Sequence, residues 1–165
     1  MTDYERFQIK VATALARWQV VEINMQEIFL DVIESKDRRW AAVAYHTIIA
    51  FKGKLDMLHE IISYRLETEK AIKEWKQLLK KLVAANSERN KLVHWTFIAT
   101  YTEEDRENYV FLAVPPFGDA RKKYVGKKIT EADLDEMIST FSILQHEVNN
   151  FRQRLQTSLA SQEKH

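Results

Sequence analysis

"WKQLLKKLVAANSERNKLVHWTFIATY", residues 75–101, holds the change of period that decides the fold. Up to Trp95 the apolar residues recur at spacings of three and four: Trp75, Leu78, Leu82, Ala85 and, beyond Arg89, Leu92. That is the buried stripe of an amphipathic helix. From Thr96 onward aromatic and β-branched side chains crowd together, as in a strand. The stretch therefore closes a long helix, opens a β-hairpin, and leaves an arginine on a seam that otherwise wants leucine.

Upstream, the third helix begins near Thr68 with "TEKA". Before it, Phe7, Val11, Ala14, Trp18, Val21, Met25, Ile28 and Val32 define a first helix over about Asp3–Ser35, ended by "ESKDRR". A second helix is expected over about Arg39–Leu66, with Trp40, Ala44, Thr47, Phe51, Leu55, Leu58 and Ile62 as its stripe and Gly53 inside it. Downstream, "NYVFLAVPPF" pairs with "WTFIATY" across the polar "TEEDRE", and "KKYVG" is a third strand or a loop. Thr130 caps a last helix over about Glu131–Leu159, lined by Leu134, Met137, Phe141, Leu144, Val148, Phe151 and Leu155.

The expected fold class is mainly all-α. Four long helices, each with one stripe, are most simply satisfied by an antiparallel four-helix bundle. The β-hairpin is inserted between the third and fourth helices, over about residues 96–129. A single domain spans 1–165, with a frayed tail over about 160–165.

Composition narrows the chemistry. The chain of 165 residues is 45% apolar and 30% charged, with 3 Gly and 2 Pro, a balance that suits long elements and one sizeable core. It has no cysteine, which excludes disulfides, thiol catalysis and cysteine-ligated zinc. The charged start "MTDYERFQIK" and the lack of a long apolar run predict no signal peptide, no membrane partner and a cytoplasmic protein. The net charge of +1 gives no global field. Locally, Lys70, Lys73, Lys76, Lys80, Lys81, Arg89 and Lys91 outnumber Glu74 and Glu88, and "RKKYVGKK" adds a second basic run at 121–128. Both suit a solvated face as well as a polyanion.

With Arg89 at zero on the helical wheel, Leu78, Leu82, Ala85, Leu92 and Val93 fall within about 60°. Asn86 shares that face, and Asn90 and His94 lie one turn apart. A buried guanidinium cannot stand unpaired. It pairs inside the bundle (Glu22, Asp31 and Asp56 are the candidates), or its head reaches solvent, or this end of the stripe is a cleft or a subunit interface. Arginine grips phosphate with a planar fork of donors, and histidine transfers protons near neutral pH. Grouped with an amide, they suit a phosphodiester.

"RNKLVH", Arg89–His94, resembles the R-N-x-x-x-H signature of the HEPN superfamily of helical nucleic-acid enzymes. Arg89, Asn90 and His94 match that pattern position by position, and the bundle with the motif just before its last helix matches the architecture. The resemblance implies a metal-independent endoribonuclease that needs no cofactor, a homodimer whose two motifs face each other, and a setting in toxin–antitoxin or phage-defence systems with an antitoxin or companion protein. Other members are binding modules without activity. In a subgroup a tyrosine two residues after the histidine is modified by the antitoxin; Thr96 stands there in this chain.

In the chemistry so implied, His94 moves protons to and from RNA, Arg89 stabilises charge on the phosphoryl oxygens, and Asn90 orients His94 or donates to the phosphate. Lys80, Lys81, Lys91, Arg121, Lys122 and Lys123 guide the RNA backbone. Trp95 stacks a base or packs in the core. No metal site is expected. Asp56 and His59 have the i, i+3 spacing of bundle metal sites, but no second copy of the pattern occurs, and the zincin, phosphate-loop and nucleophile-elbow patterns are absent.

Overall fold

A computed structural model of the chain describes residues 2–66, 68–101, 109–114 and 128–162. These residues are mainly helical. In chain order the elements are α1 (Asp3–Val32), α2 (Arg38–Thr47), α3 (Phe51–Arg65), α4 (Glu69–His94), β1 (Thr96–Tyr101), β2 (Tyr109–Val114), β3 (Lys128–Ile129) and α5 (Glu131–Gln162). Among the described residues, no helix is long and apolar enough to cross a membrane.

Side chains cap the starts of α1, α2, α4 and α5. Thr2 and Glu5 form a reciprocal capping box, each receiving the other's backbone N–H at 3.2 and 2.8 Å. Asp37 caps α2 by accepting from the N–H groups of Arg39 and Trp40, and Thr68 caps α4 through Ala71. The box repeats at α5, where Thr130 N–H donates to Asp133 at 2.6 Å and Asp133 N–H to Thr130 Oγ1 at 3.1 Å. At the other end of α1, Glu34 takes a left-handed φ of 48° and turns the chain out of the helix.

The single helix expected over Arg39–Leu66 is two helices. Ile48, after α2, and Ala50, before α3, both take extended backbone angles. Gly53 eases the break: a Cβ there would stand 3.0 Å from Ile48 Cγ2, a tight contact that glycine avoids in the first turn of α3. The break also resets the phase of the apolar stripe. Leu55, Leu58 and Ile62 of α3 are buried as expected. On α2 the buried residues are Ala41 and Tyr45, while Trp40, Ala44 and Thr47, placed on the core side by a continuous helix, are exposed. The last helix extends to Gln162, beyond the Leu159 where fraying was expected.

The chain forms two compact units. The first comprises Met1–Trp18 and Ser87–Ser142, the second Gln19–Asn86 and Ile143–His165.

In the first unit Phe7 stacks on Phe111, ring centroids 4.0 Å apart and 15° from parallel, and meets the edge of Phe97 at 5.4 Å. Trp18 and Phe141 meet edge-on at 5.3 Å. Such pairs add to the free energy of burying the rings. β1 runs antiparallel to β2 with Thr96 opposite Val114 and Tyr101 opposite Tyr109, and β2 pairs with β3 through Phe111 and Ile129. Lys10 bridges to Asp135 at 2.7 Å and Glu131 at 3.2 Å. The hydrogen bond to Asp135, opposed by partial desolvation, raises the ammonium above the ordinary lysine range.

In the second unit Met25, Ile28, Leu58, Ile62, Trp75, Leu82 and Val148 are fully enclosed. Each large apolar side chain so buried contributes about 1.5–3 kcal/mol. Trp75 packs on Phe151 at 5.3 Å. At one edge Asp31, only 8% exposed, accepts from Arg152 Nε at 2.6 Å, Gln156 at 2.9 Å and Arg38 at 3.1 Å. Arg38 and Arg152 each also donate to Glu27 at 2.9 Å.

Candidate functional site

Arg89, Asn90, Lys91 and His94 lie on the last two turns of α4, and Trp95 follows directly. The stripe that precedes them holds: Trp75, Leu78, Leu82, Ala85 and Leu92 are buried. Arg89 itself is half-buried, as is Asn90. Val93, read from the wheel as part of the same face, is 44% exposed, so the apolar sector narrows toward the helix end.

Arg89 Nη1 donates to Asn90 Oδ1 at 3.2 Å. Its Nε is enclosed without a hydrogen-bond partner among the described residues. Of the carboxylates considered as its partner, Asp31 serves Arg38 and Arg152, and Asp56 pairs with Lys52 at 2.7 Å. Among the described residues no carboxylate lies within ion-pair distance of the guanidinium. A half-buried cation tied to one neutral amide keeps donors available for an anion.

His94 is exposed at the last residue of α4. Five residues along a helix turn the chain by about 500°, so within one chain His94 projects roughly 140° away from Arg89. Asn90 falls between them, about 40° from His94 by the same geometry. The motif is therefore a strip around the end of one helix, with the cation toward the interior and the imidazole toward solvent.

The charged surroundings are mixed. Lys91 is held by Glu88 at 2.6 Å and stands 6.0 Å from the centre of the Trp95 ring. The Trp95 backbone N–H donates to Lys91 O at 3.1 Å and closes the helix. A depression in the same unit is lined by Glu88, Asp133, Glu136, Met137, Thr140 and Phe141. Its three carboxylates oppose a phosphate on that side. Near the motif the sequence shows only Glu88 of the three, because Asp133 and Glu136 come from α5 and are distant in sequence.

Lys80 is exposed and Lys81 is bridged to Glu147, both on the part of α4 in the second unit. Arg121, Lys122 and Lys123 lie outside the described residues, as does "KKYVG". Among the described residues no group of three or more histidine or acidic side chains is placed to hold a metal ion. His59, paired with Asp56 by spacing, instead accepts from Trp75 Nε1.

Neither a family model, nor a curated protein, nor a solved structure matches this chain.

Proposed function

We propose that the chain is a metal-independent endoribonuclease of the HEPN type, a helical-bundle protein working as a homodimer with a composite site. The observation that carries the reading is Arg89: a half-buried guanidinium, oriented by Asn90 and matched to no carboxylate among the described residues. Burial of that charge is costly unless an anion or a second subunit completes it.

The roughly 140° between Arg89 and His94 on the wheel argues that a phosphate gripped by Arg89 takes its proton transfers from His94 of a second copy. His94 takes the proton of the RNA 2′-hydroxyl. The 2′-oxygen bonds to phosphorus as the P–O5′ bond breaks, and the proton is given to the departing 5′-oxygen. Arg89 balances charge on the non-bridging oxygens. The products are a 2′,3′-cyclic phosphate and a 5′-hydroxyl. DNA lacks the attacking group and is not cut. Trp95, beside the site, offers a ring on which a base stacks. A toxin–antitoxin or defence setting, with a companion protein, follows from the same reading.

The second reading, a module that binds a partner without catalysis, is favoured by the carboxylates of Glu88, Asp133 and Glu136 in the same unit. One assay separates the two. Purified protein is incubated with single-stranded RNA in chelator, beside His94→Ala and Arg89→Ala. Cleavage that leaves cyclic phosphate ends, lost in both variants and absent on a 2′-deoxy substrate, is the expected result. RNA left intact by the parent protein rejects catalysis in favour of the binding module.

A further inference from the structure

Three lysines without an acid partner share one side of α4. With Lys80 at zero on the helical wheel, Lys73 and Lys76 fall at about +20° and −40°. Trp75, Leu78 and Leu82, which α4 buries, lie roughly 140–160° away. All three lysines are exposed, and among the described residues none meets a carboxylate. The charges that do pair with α5 sit about 100–120° round the helix, where Lys81 meets Glu147 and Glu74 meets Arg154 at 3.4 Å. Glu69 shares the lysine sector, but it stands in the first turn, where a helix favours an acid. By contrast Lys10, Arg38, Lys52, Arg65 and Arg152 each bridge to a carboxylate. Like charges three and four residues apart repel, a cost that a polyanion removes.

We propose that Lys73, Lys76 and Lys80 form a track for the phosphates of a single RNA strand, distinct from the Arg89 motif. The three lysines span about 10 Å of helix, over which one nucleic-acid strand carries about three phosphates. Lysine meets phosphate as a mobile point charge. Two other occupants fit the strip less well. Protein interfaces exclude lysine from their buried centres. A helix lying in a membrane surface needs a free apolar face beside its lysines, and the apolar face of α4 is buried with Trp75, Leu78 and Leu82. The choice of RNA rests on the ribonuclease reading, while the strip itself does not depend on catalysis.

A 2′-O-methyl RNA strand keeps the phosphates and offers no free 2′-hydroxyl, so it reports binding alone. Lys73→Gln, Lys76→Gln and Lys80→Gln are combined in one variant. Arg17→Gln, Lys36→Gln and Arg39→Gln, at exposed cations outside α4, remove the same charge in a second. Affinity is followed between about 50 and 200 mM salt. The parent and the second variant are expected to share one slope of log K against log salt. The first variant is expected to lose about two from the magnitude of that slope, three contacts at about 0.7 each, and at least about tenfold in affinity at low salt. Circular dichroism verifies each fold. Equal losses in the two variants report net charge alone and overturn the proposal. So does a parent that leaves the strand unbound, whether or not it captures phosphatidylserine vesicles. Cleavage of RNA by the parent, with a strip variant that binds as the parent does, rejects the strip and keeps the ribonuclease reading. Strip-dependent binding without cleavage does the reverse.

Discussion

The indole Nε1 of Trp75, in a fully buried ring, donates to Nδ1 of His59 at 3.2 Å. An indole N–H can only donate, so Nδ1 carries the lone pair and the imidazole proton sits on Nε2. Ser63 Oγ stands 3.3 Å from the same nitrogen. A nitrogen-15 correlation spectrum is expected to show the Nε2–H tautomer for His59. His59→Ala leaves the tryptophan donor buried and unsatisfied, at a cost of roughly 1–3 kcal/mol in denaturant unfolding. Combined with Trp75→Phe, which removes the donor, the cost is expected to be less than additive.

Tyr45 presents the opposite case. Its ring is buried, yet its hydroxyl has no hydrogen-bond partner among the described residues. Tyr45→Phe is therefore expected to be neutral or to stabilise by up to about 1 kcal/mol. Burial first, and the charge of Glu22 second, push the phenol well above the ordinary tyrosine range. A group held neutral in the fold contributes stability fully below the unfolded pKa of about 10 and loses it as pH rises toward the folded value. Unfolding free energy should thus fall above about pH 10, and Tyr45→Phe should flatten that fall relative to the parent.

The carboxylate of Asp31 binds three donors from two helices, Arg38 on α2 and Arg152 and Gln156 on α5. Asp31→Ala leaves two guanidinium groups short of an acceptor, and a loss of roughly 2–4 kcal/mol is expected in chemical denaturation. Arg152→Ala should cost less in the presence of Asp31→Ala than alone, because the two share the interaction.

Arg89 should behave differently from these anchors. It has no carboxylate to lose, so Arg89→Gln is expected to shift stability by less than about 1 kcal/mol, well short of Asp31→Ala. Under the ribonuclease reading the same variant removes cleavage, and Arg89→Lys restores little, because an ammonium lacks the planar fork. A large destabilisation by Arg89→Gln would instead make it a structural residue.

Much of the fold was legible because burial is periodic. The stripes of α1, α4 and α5 are buried almost residue for residue, since a long helix of fixed pitch keeps its phase over many turns. The start of α5 was equally readable, because the Thr130–Asp133 box satisfies backbone donors through neighbours in sequence. The α2–α3 break was not readable. Gly53 reads as a tolerated interruption until Ile48 Cγ2 is found against it, and the break at Ile48–Ala50 turns the buried side of α2 by roughly a third of a turn.

The mainly helical class, the faces of the uninterrupted helices and the local caps all follow from the order of residues along the chain. All of these rest on residues within a turn or two of one another. Docking of distant segments sets which polar groups meet: Asp31 with Arg152, His59 with Trp75, and Arg89 with no carboxylate among the described residues. Pairings between distant segments follow from how the helices dock, and no spacing along one chain encodes that.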